Sequence, residues 1–235
     1  MNADDPDSLV KRIPEPELMD DLEQADAYAR ADFTQANTLF VETFCARFPG
    51  FSAGRMLDLG CGPGDIMLRL VRRFPDVNIL GVDGAGAMLG WARRNIATAG
   101  FENRVEARQW CLGDPGSELA AIAPPFDAVL SNSLLHHLHD PLQLWQTIKA
   151  CARPGTAVMV MDLVRPATRV DAQAIVDIYS GDEPEILRRD FFNSLLAAFR
   201  VNEVKQQLSA CGLHEFAVAP ISDRHLAVSG LLRNP

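Results

Sequence analysis

Three alternate glycines constrain this chain more than any other feature in it. The run Met56-Leu57-Asp58-Leu59 enters Gly60-Cys61-Gly62-Pro63-Gly64. Behind the glycines, Asp65 to Phe74 carries apolar residues at 66, 67, 70, 71 and 74, which is helical spacing. The pattern is a strand, a tight turn and a helix. Glycine serves such a turn in two ways. It takes positive φ without a Cβ penalty, and it lets a ligand lie against bare backbone.

Asn78-Ile79-Leu80-Gly81-Val82-Asp83 reads as a second buried strand. It ends in a carboxylate roughly 20 residues past the glycines, where a doubly wound sheet places an acid that accepts from a ribose. Glycine turn and distal acid together point to an adenosine-type ligand. Two features choose among such ligands. The glycines are spaced Gly-x-Gly-x-Gly, whereas dinucleotide sites use Gly-x-Gly-x-x-Gly. Asp58 also places a carboxylate inside the first strand, just ahead of Gly60. A carboxylate there repels a pyrophosphate and suits a cationic ligand, so a nicotinamide-dependent oxidoreductase is the disfavoured rival.

These residues resemble class I S-adenosylmethionine-dependent methyltransferases, whose first motif reads acid-x-Gly-x-Gly-x-Gly. The cofactor's sulfonium and ammonium match the charge of Asp58. The resemblance covers Arg55 to Asp162 and continues beyond by topology only. It implies a Rossmann-like α/β fold with a seven-stranded, mostly parallel sheet, the last strand antiparallel, and a helical cap. It also implies S-adenosyl-L-methionine as cofactor and S-adenosyl-L-homocysteine as product. By the same resemblance, Asp58, the backbone of Gly60, Cys61, Gly62 and Gly64, and then Asp83 and Gly84 hold the cofactor. Met88, on the helix after the acid, matches a family position that lies against the adenine.

The third strand, Arg104 to Cys111, departs from the family pattern. Many relatives end it with an aspartate that accepts from the adenine amino group. Trp110 and Cys111 stand there instead, and Asp114 follows later. Backbone groups, stacking on Trp110 and a reach from Asp114 remain open alternatives. The fourth strand, Phe126 to Asn132, brings Asn132 up to the site.

Leu135-His136-His137-Leu138-His139-Asp140-Pro141 comes next. It resembles the Leu-His-His-Leu-x-Asp-Pro segment of small-molecule methyltransferases, including the ubiquinone and menaquinone group. His136 or His137 is the candidate general base for an acceptor hydroxyl or amine. Simple packing against the glycine loop is the alternative. Metal binding is disfavoured, because no carboxylate cluster with suitable spacing accompanies the histidines.

The rest of the chain frames this centre. Residues 1–50 read as an N-terminal helical lid segment, with helices near 18–30 and 32–48. Tyr28 and Phe33 are its candidates for substrate contact. Residues 51–235 form the cofactor-binding domain. Arg153-Pro154-Gly155 reads as the turn before a fifth strand at Ala157 to Asp162, and 213–219 and 225–231 as the closing pair of strands. An insertion at about 163–200, with helices over 171–179 and 185–199, reads as a substrate cap. Arg165, Tyr179, Arg188, Arg189, Phe191, Phe192 and Asn193 are its chemically interesting residues, with Arg165 and Phe192 foremost. Cations beside aromatics suit an anionic or aromatic acceptor.

Composition narrows the partners. A formal net charge of −9 disfavours a nucleic-acid binder. The five cysteines form no C-x-x-C pair, so neither a zinc site nor a disulfide framework is indicated, and a reducing cytoplasm fits. No apolar run is long enough for a membrane span, and the acidic start does not read as a signal peptide. The Asn/Asp-Pro-Pro-Tyr/Phe signature of nucleobase amino-methylation is missing after the fourth strand. So is the acidic ligand set of metal-dependent catechol methylation. The expectation is a methyltransferase acting on a small-molecule acceptor, with a homodimer possible. A transferase using a modified S-adenosylmethionine and a non-catalytic cofactor-binding accessory protein are the alternatives. Whether O, N, S or C receives the methyl stays open.

Overall fold

A computed structural model describes residues 9–15, 22–113, 122 and 125–233. Two helices, α1 (Leu22–Arg30) and α2 (Thr34–Arg47), precede the first strand. The alternating part follows as β1 (Ala53–Leu59), α3 (Asp65–Arg73), β2 (Asp76–Asp83), α4 (Gly86–Ala99), β3 (Val105–Gln109), β4 (Phe126–Asn132), α5 (Leu142–Cys151) and β5 (Ala152–Leu163). A cap of α6 (Arg169–Ser180) and α7 (Glu185–Ala197) comes next. Then α8 (Val201–Ala210) leads into β6 (Ala217–Pro220) and β7 (His225–Leu231).

The strands form one sheet in the order β3-β2-β1-β4-β5-β7-β6. β1 to β5 pair in parallel, and β7 runs antiparallel to both β5 and β6. This is the expected architecture. Both faces are buried, because successive residues of the parallel strands point to opposite sides. Leu57, Leu59, Val129, Val158 and Val160 pack under α5 and α8 around Trp145, whose Nε1 donates to Gln207 at 3.0 Å. Met56, Leu130, Met159 and Met161 face the other way, onto Phe40 and Phe44 of α2 and Met67 and Leu70 of α3.

Several boundaries differ from the sequence expectation. β3 stops at Gln109, and the N–H of Trp110 donates instead to the carbonyl of Asp83 at 3.0 Å. Arg153-Pro154-Gly155 lies within β5, where the pairing with β4 shifts register between Phe126 and Ala128 and Gly155 takes φ 90°. β6 is confined to Ala217–Pro220. Asp114 lies outside the described residues.

Residues 9–15 form a strap across the cap and the sheet end. Val10 N–H donates to Ala167 O and Ile13 N–H to Leu196 O. The Arg12 guanidinium donates to the carbonyls of Ala197, His136 and Leu138, and lies 4.0 Å over the Phe199 ring. Among the described residues, no helix is long and apolar enough to cross a membrane.

Candidate active site

The parallel strands deliver their carboxyl ends to one rim of the sheet. The chain leaves β1 toward β2 on one side, and β4 lies on the other. Such a reversal opens a crevice between the two central strands. Gly60, Asp83, Asn132 and Asp162 all arrive at that rim from β1, β2, β4 and β5.

Gly60, Gly62 and Gly64 take φ of 72°, 51° and 88°, in the region that favours glycine. They divide the work. A Cβ on Gly60 would come within 2.9 Å of Leu134 Cδ1, so that position is closed by packing. A Cβ on Gly62 would meet nothing within 4 Å, so bare backbone faces the cavity there. A Cβ on Gly64 would crowd Met67 Cε at 3.2 Å and Ala92 Cβ at 3.5 Å. Gly64 therefore seats α3 against α4 and does not line the cavity. Asp83 ties the turn to the next loop: its two carboxylate oxygens accept from Gly62 N–H at 2.9 Å and Ala85 N–H at 2.8 Å.

Asp58 is 1% exposed, and neither carboxylate oxygen has a hydrogen-bond partner among the described residues. Burial, and then the charge of Asp83, push its pKa up to about 8. The side-chain oxygen of Asn132 is likewise buried without a partner. Both residues line a cavity of about 470 Å³ together with Gly60, Cys61 and Gly62. Buried acceptors of this kind need donors, and a carboxylate needs a positive one. An amino-acid ammonium on a cofactor supplies both. A second cavity of about 100 Å³ adjoins the first and is lined by Asp83, Gly84, Met88, Trp110 and Cys111. Its flat apolar walls beside a carboxylate suit an adenosine. The residue set therefore fits S-adenosylmethionine from its methionine end to its base.

A third cavity, of about 220 Å³, opens under the cap. Tyr28 and Asn132 line all three cavities and mark their junction. Burial and then the charge of Asp83 push the Tyr28 phenol up to about 12, so it stays a donor, and its ring lies 4.5 Å from that of Phe33. Phe33, Tyr179 and Phe191 supply further aromatic wall. Arg224 also lines this cavity, but its guanidinium stacks 3.3 Å over Tyr179 and donates to Asp223 and Gln35. His225 is held neutral, since burial and then Arg224 push its pKa down to about 4.

His136 and His137 sit in a one-turn 3₁₀ segment in the wall of this cavity. His136 Nδ1 lies 2.7 Å from Asp162 Oδ1. Asp162 Oδ2 accepts from the Leu135 N–H at 2.7 Å, so the carboxylate fixes both ring and turn. Burial works against charge on His136, yet Asp162 and Glu15 outweigh it and raise the pKa. Asp162 is lowered although burial opposes this, because His136 prevails. Glu15 reaches in from the strap. Its Oε1 is 3.6 Å from His136 Nε2 and 3.4 Å from His137 Nδ1, and accepts from Ser194 Oγ at 2.9 Å. The carboxylate that the sequence did not place beside the histidines is thus present.

Two expected substrate residues lie elsewhere. Arg165 is 5% exposed and donates to Val10 O, Ala198 O and Glu203 Oε1, so its guanidinium is consumed in clasping strap, cap and α8. Phe192 packs into the apolar cluster between α6 and α7, with Arg169 5.1 Å over its ring. Its neighbour Phe191, about 100° around the helix, touches the same cluster and also lines the cavity. Asp162, Glu15 and Arg224 were missed. Asp162 carried a usable signal: like Asp83, it is a carboxylate at the end of an apolar strand.

A family model described as "Methyltransferase domain" matches residues 28–199, well over half of the chain. The chain belongs to the methyltransferase-domain family. Among relatives of this methyltransferase domain is a trans-aconitate 2-methyltransferase of Methylobacterium nodulans, 29% identical over 150 residues, which are 62% of this chain and 53% of that protein. The chain thus spans about half the length of such curated relatives. In solved structures the fold recurs in a plantazolicin methyltransferase complexed with a desmethyl substrate analogue and S-adenosylhomocysteine. That match has a TM-score of 0.66 and 14% identity, over 91% of this chain and 90% of that one. It recurs also in an O-methyltransferase family protein from Burkholderia thailandensis, with a TM-score of 0.65 and 17% identity over 91% of this chain and 60% of that one.

Proposed function

We propose that this chain binds S-adenosylmethionine and transfers its methyl group to a small-molecule acceptor held under the cap. The observation that carries the reading is the pair of partnerless buried acceptors, Asp58 and Asn132, at the end of a glycine turn. The cofactor supplies an already activated methyl, so the chain's contribution is alignment and exclusion of water. Asp58 takes the ammonium. The bare backbone at Gly62 lets the methionine half lie close, and Asp83 turns its remaining lone pairs to the ribose. Met88 and Trp110, which line the second cavity, would contact the base.

Tyr28 and Asn132, at the junction of the three cavities, border the line along which the acceptor approaches. His136, braced by Asp162, is the group arranged to take a proton from an acceptor hydroxyl or amine. Glu15, Asp32, Glu183 and Asp190 line the acceptor cavity, whereas its arginine is engaged with Asp223 and Gln35. Aromatic walls and acidic lining favour a neutral or cationic acceptor with an apolar body. They disfavour a tricarboxylate such as trans-aconitate, the substrate in the relatives' name.

The test is incubation with methyl-labelled cofactor and panels of phenols, amines and polycarboxylic acids, followed by mass analysis. Label on a phenol or amine supports the reading. Label on polycarboxylates alone overturns the acceptor class, and no transfer to any small molecule overturns the activity.

A further inference from the structure

We infer that Glu15, His136 and His137 form a binding site for a divalent transition-metal ion in the wall of the acceptor cavity. Three donor atoms converge there, one from each residue, all within 4.8 Å of one another. A tetrahedral ion with bonds of about 2.0–2.1 Å to nitrogen and oxygen needs donors about 3.4 Å apart. Glu15 Oε1 stands 3.6 Å from His136 Nε2 and 3.4 Å from His137 Nδ1. These separations are long for hydrogen bonds and right for two ligands sharing an ion.

The surroundings point the same way. His136 turns its other nitrogen, Nδ1, to the Asp162 carboxylate at 2.7 Å. A metal-bound histidine is commonly braced by a carboxylate in this manner, which fixes the tautomer and leaves Nε2 to the ion. Glu15 is held as well: Ser194 Oγ donates to its Oε1 at 2.9 Å, and its carbonyl pairs with His139 Nε2 at 3.0 Å. Two of the three donor residues, His136 and Glu15, are therefore positioned by further partners.

Charge is also consistent. Glu15, Asp162 and Asp190 bring three negative charges to the corner and Arg12 one positive, so a divalent ion makes it neutral. It would not set a net positive charge against a sulfonium cofactor. A nitrogen-rich set with one carboxylate suits zinc, cobalt, nickel or iron(II), rather than magnesium or calcium. All three residues line the acceptor cavity, so the remaining coordination position opens toward the substrate, as in catalytic metal sites. An ion there would polarise an acceptor oxygen; His136 would then be a ligand, and the proton-accepting role given to it above belongs to the metal-free site. The binding claim does not depend on the methyl-transfer reading.

The test is calorimetric titration of the chelator-treated chain with zinc, and visible absorption with cobalt(II). The expected result is one saturable equivalent and a cobalt spectrum of nitrogen and oxygen ligation. Glu15→Gln and His137→Ala are expected to weaken binding at least about tenfold, and Asp162→Asn by about 10- to 100-fold. His214→Ala, an exposed histidine outside all three cavities, is expected to bind as the parent does. Circular dichroism melts establish that each variant folds. Absence of saturable binding would overturn the site. So would affinity unchanged in both Glu15→Gln and His137→Ala, or a strong thiolate-to-cobalt band that places the ion on cysteine.

Discussion

His136 Nδ1 and Asp162 Oδ1 meet at 2.7 Å, both side chains almost wholly buried, at the point where β5 ends beneath the acceptor cavity. Asp162 also accepts from the backbone N–H groups of Leu135 and Leu163. One carboxylate thus holds the histidine turn to the sheet. Asp162→Asn keeps the shape but turns an amide N–H₂ toward groups that need an acceptor. It is expected to lower stability by about 1–3 kcal/mol, read as a fall in denaturant midpoint, and to lower transfer to the acceptor more than cofactor affinity. Unchanged stability would show that the carboxylate is not what anchors the turn.

Asp58 gives the chain a pH signature. Its folded pKa of about 8 stands above the ordinary carboxylate value of about 3.9. The stability it contributes is therefore complete below about pH 4 and is lost as pH rises through about 8. The melting temperature of the cofactor-free chain should fall across that interval, and Asp58→Asn should remove this part of the fall. An ammonium partner favours the ionised form, so cofactor binding near neutral pH should release a proton from the parent and not from the variant. Calorimetry in buffers of different ionisation enthalpy reads that proton. Loss of the charge-assisted contact should weaken cofactor binding by about 10- to 100-fold. Equal proton release from parent and variant would contradict the assignment.

Two glycines separate binding from folding. Gly62→Val places a branched side chain at φ 51° in open cavity, so it should abolish cofactor binding at a backbone cost of about 1–2 kcal/mol. A Cβ on Gly81, inside β2, would stand 2.8 Å from Cys61 Cβ and would also strike Met67. Gly81→Ala should therefore cost about 1–3 kcal/mol in overpacking and act on stability first. Thermal melts and ligand titrations of both variants would show the opposite ranking if the glycine turn were not the binding element.

Arg165→Met should behave as a structural lesion. It takes a donor from the Ala198 carbonyl, and leaves the Val10 carbonyl and Glu203 to Arg200 alone, and so loosens strap, cap and α8 together. The expected outcome is a lower melting temperature with cofactor affinity retained. A stable variant whose only defect is a higher KM for the acceptor would return Arg165 to the substrate.

What the sequence disclosed follows from how local each signal is. The glycine turn, Asp83 and the span of β7 at His225–Leu231 are written in consecutive residues, and the structure has them where expected. Glu15 was invisible because it reaches the histidines only through the strap, which Arg12 ties to the carbonyls of the histidine turn. Arg165 and Phe192 were misread because residue type states charge and shape but not direction. Glu203 lies on a later helix, and one step around α7 exchanges Phe192 for Phe191 at the cavity. The Arg153-Pro154-Gly155 run looked like a turn because its residues favour one, yet strand pairing absorbs it as an irregularity.

The most direct test of the central claim is calorimetric titration of the cofactor-stripped chain with S-adenosylmethionine, S-adenosylhomocysteine and NAD, beside Asp83→Ala. Asp83 is the residue whose carboxylate joins the glycine turn to the loop after β2. The expected result is saturable binding of both adenosyl-sulfur ligands, lost in the variant, and none of NAD. Binding of NAD instead, or of no ligand at all, would contradict the claim.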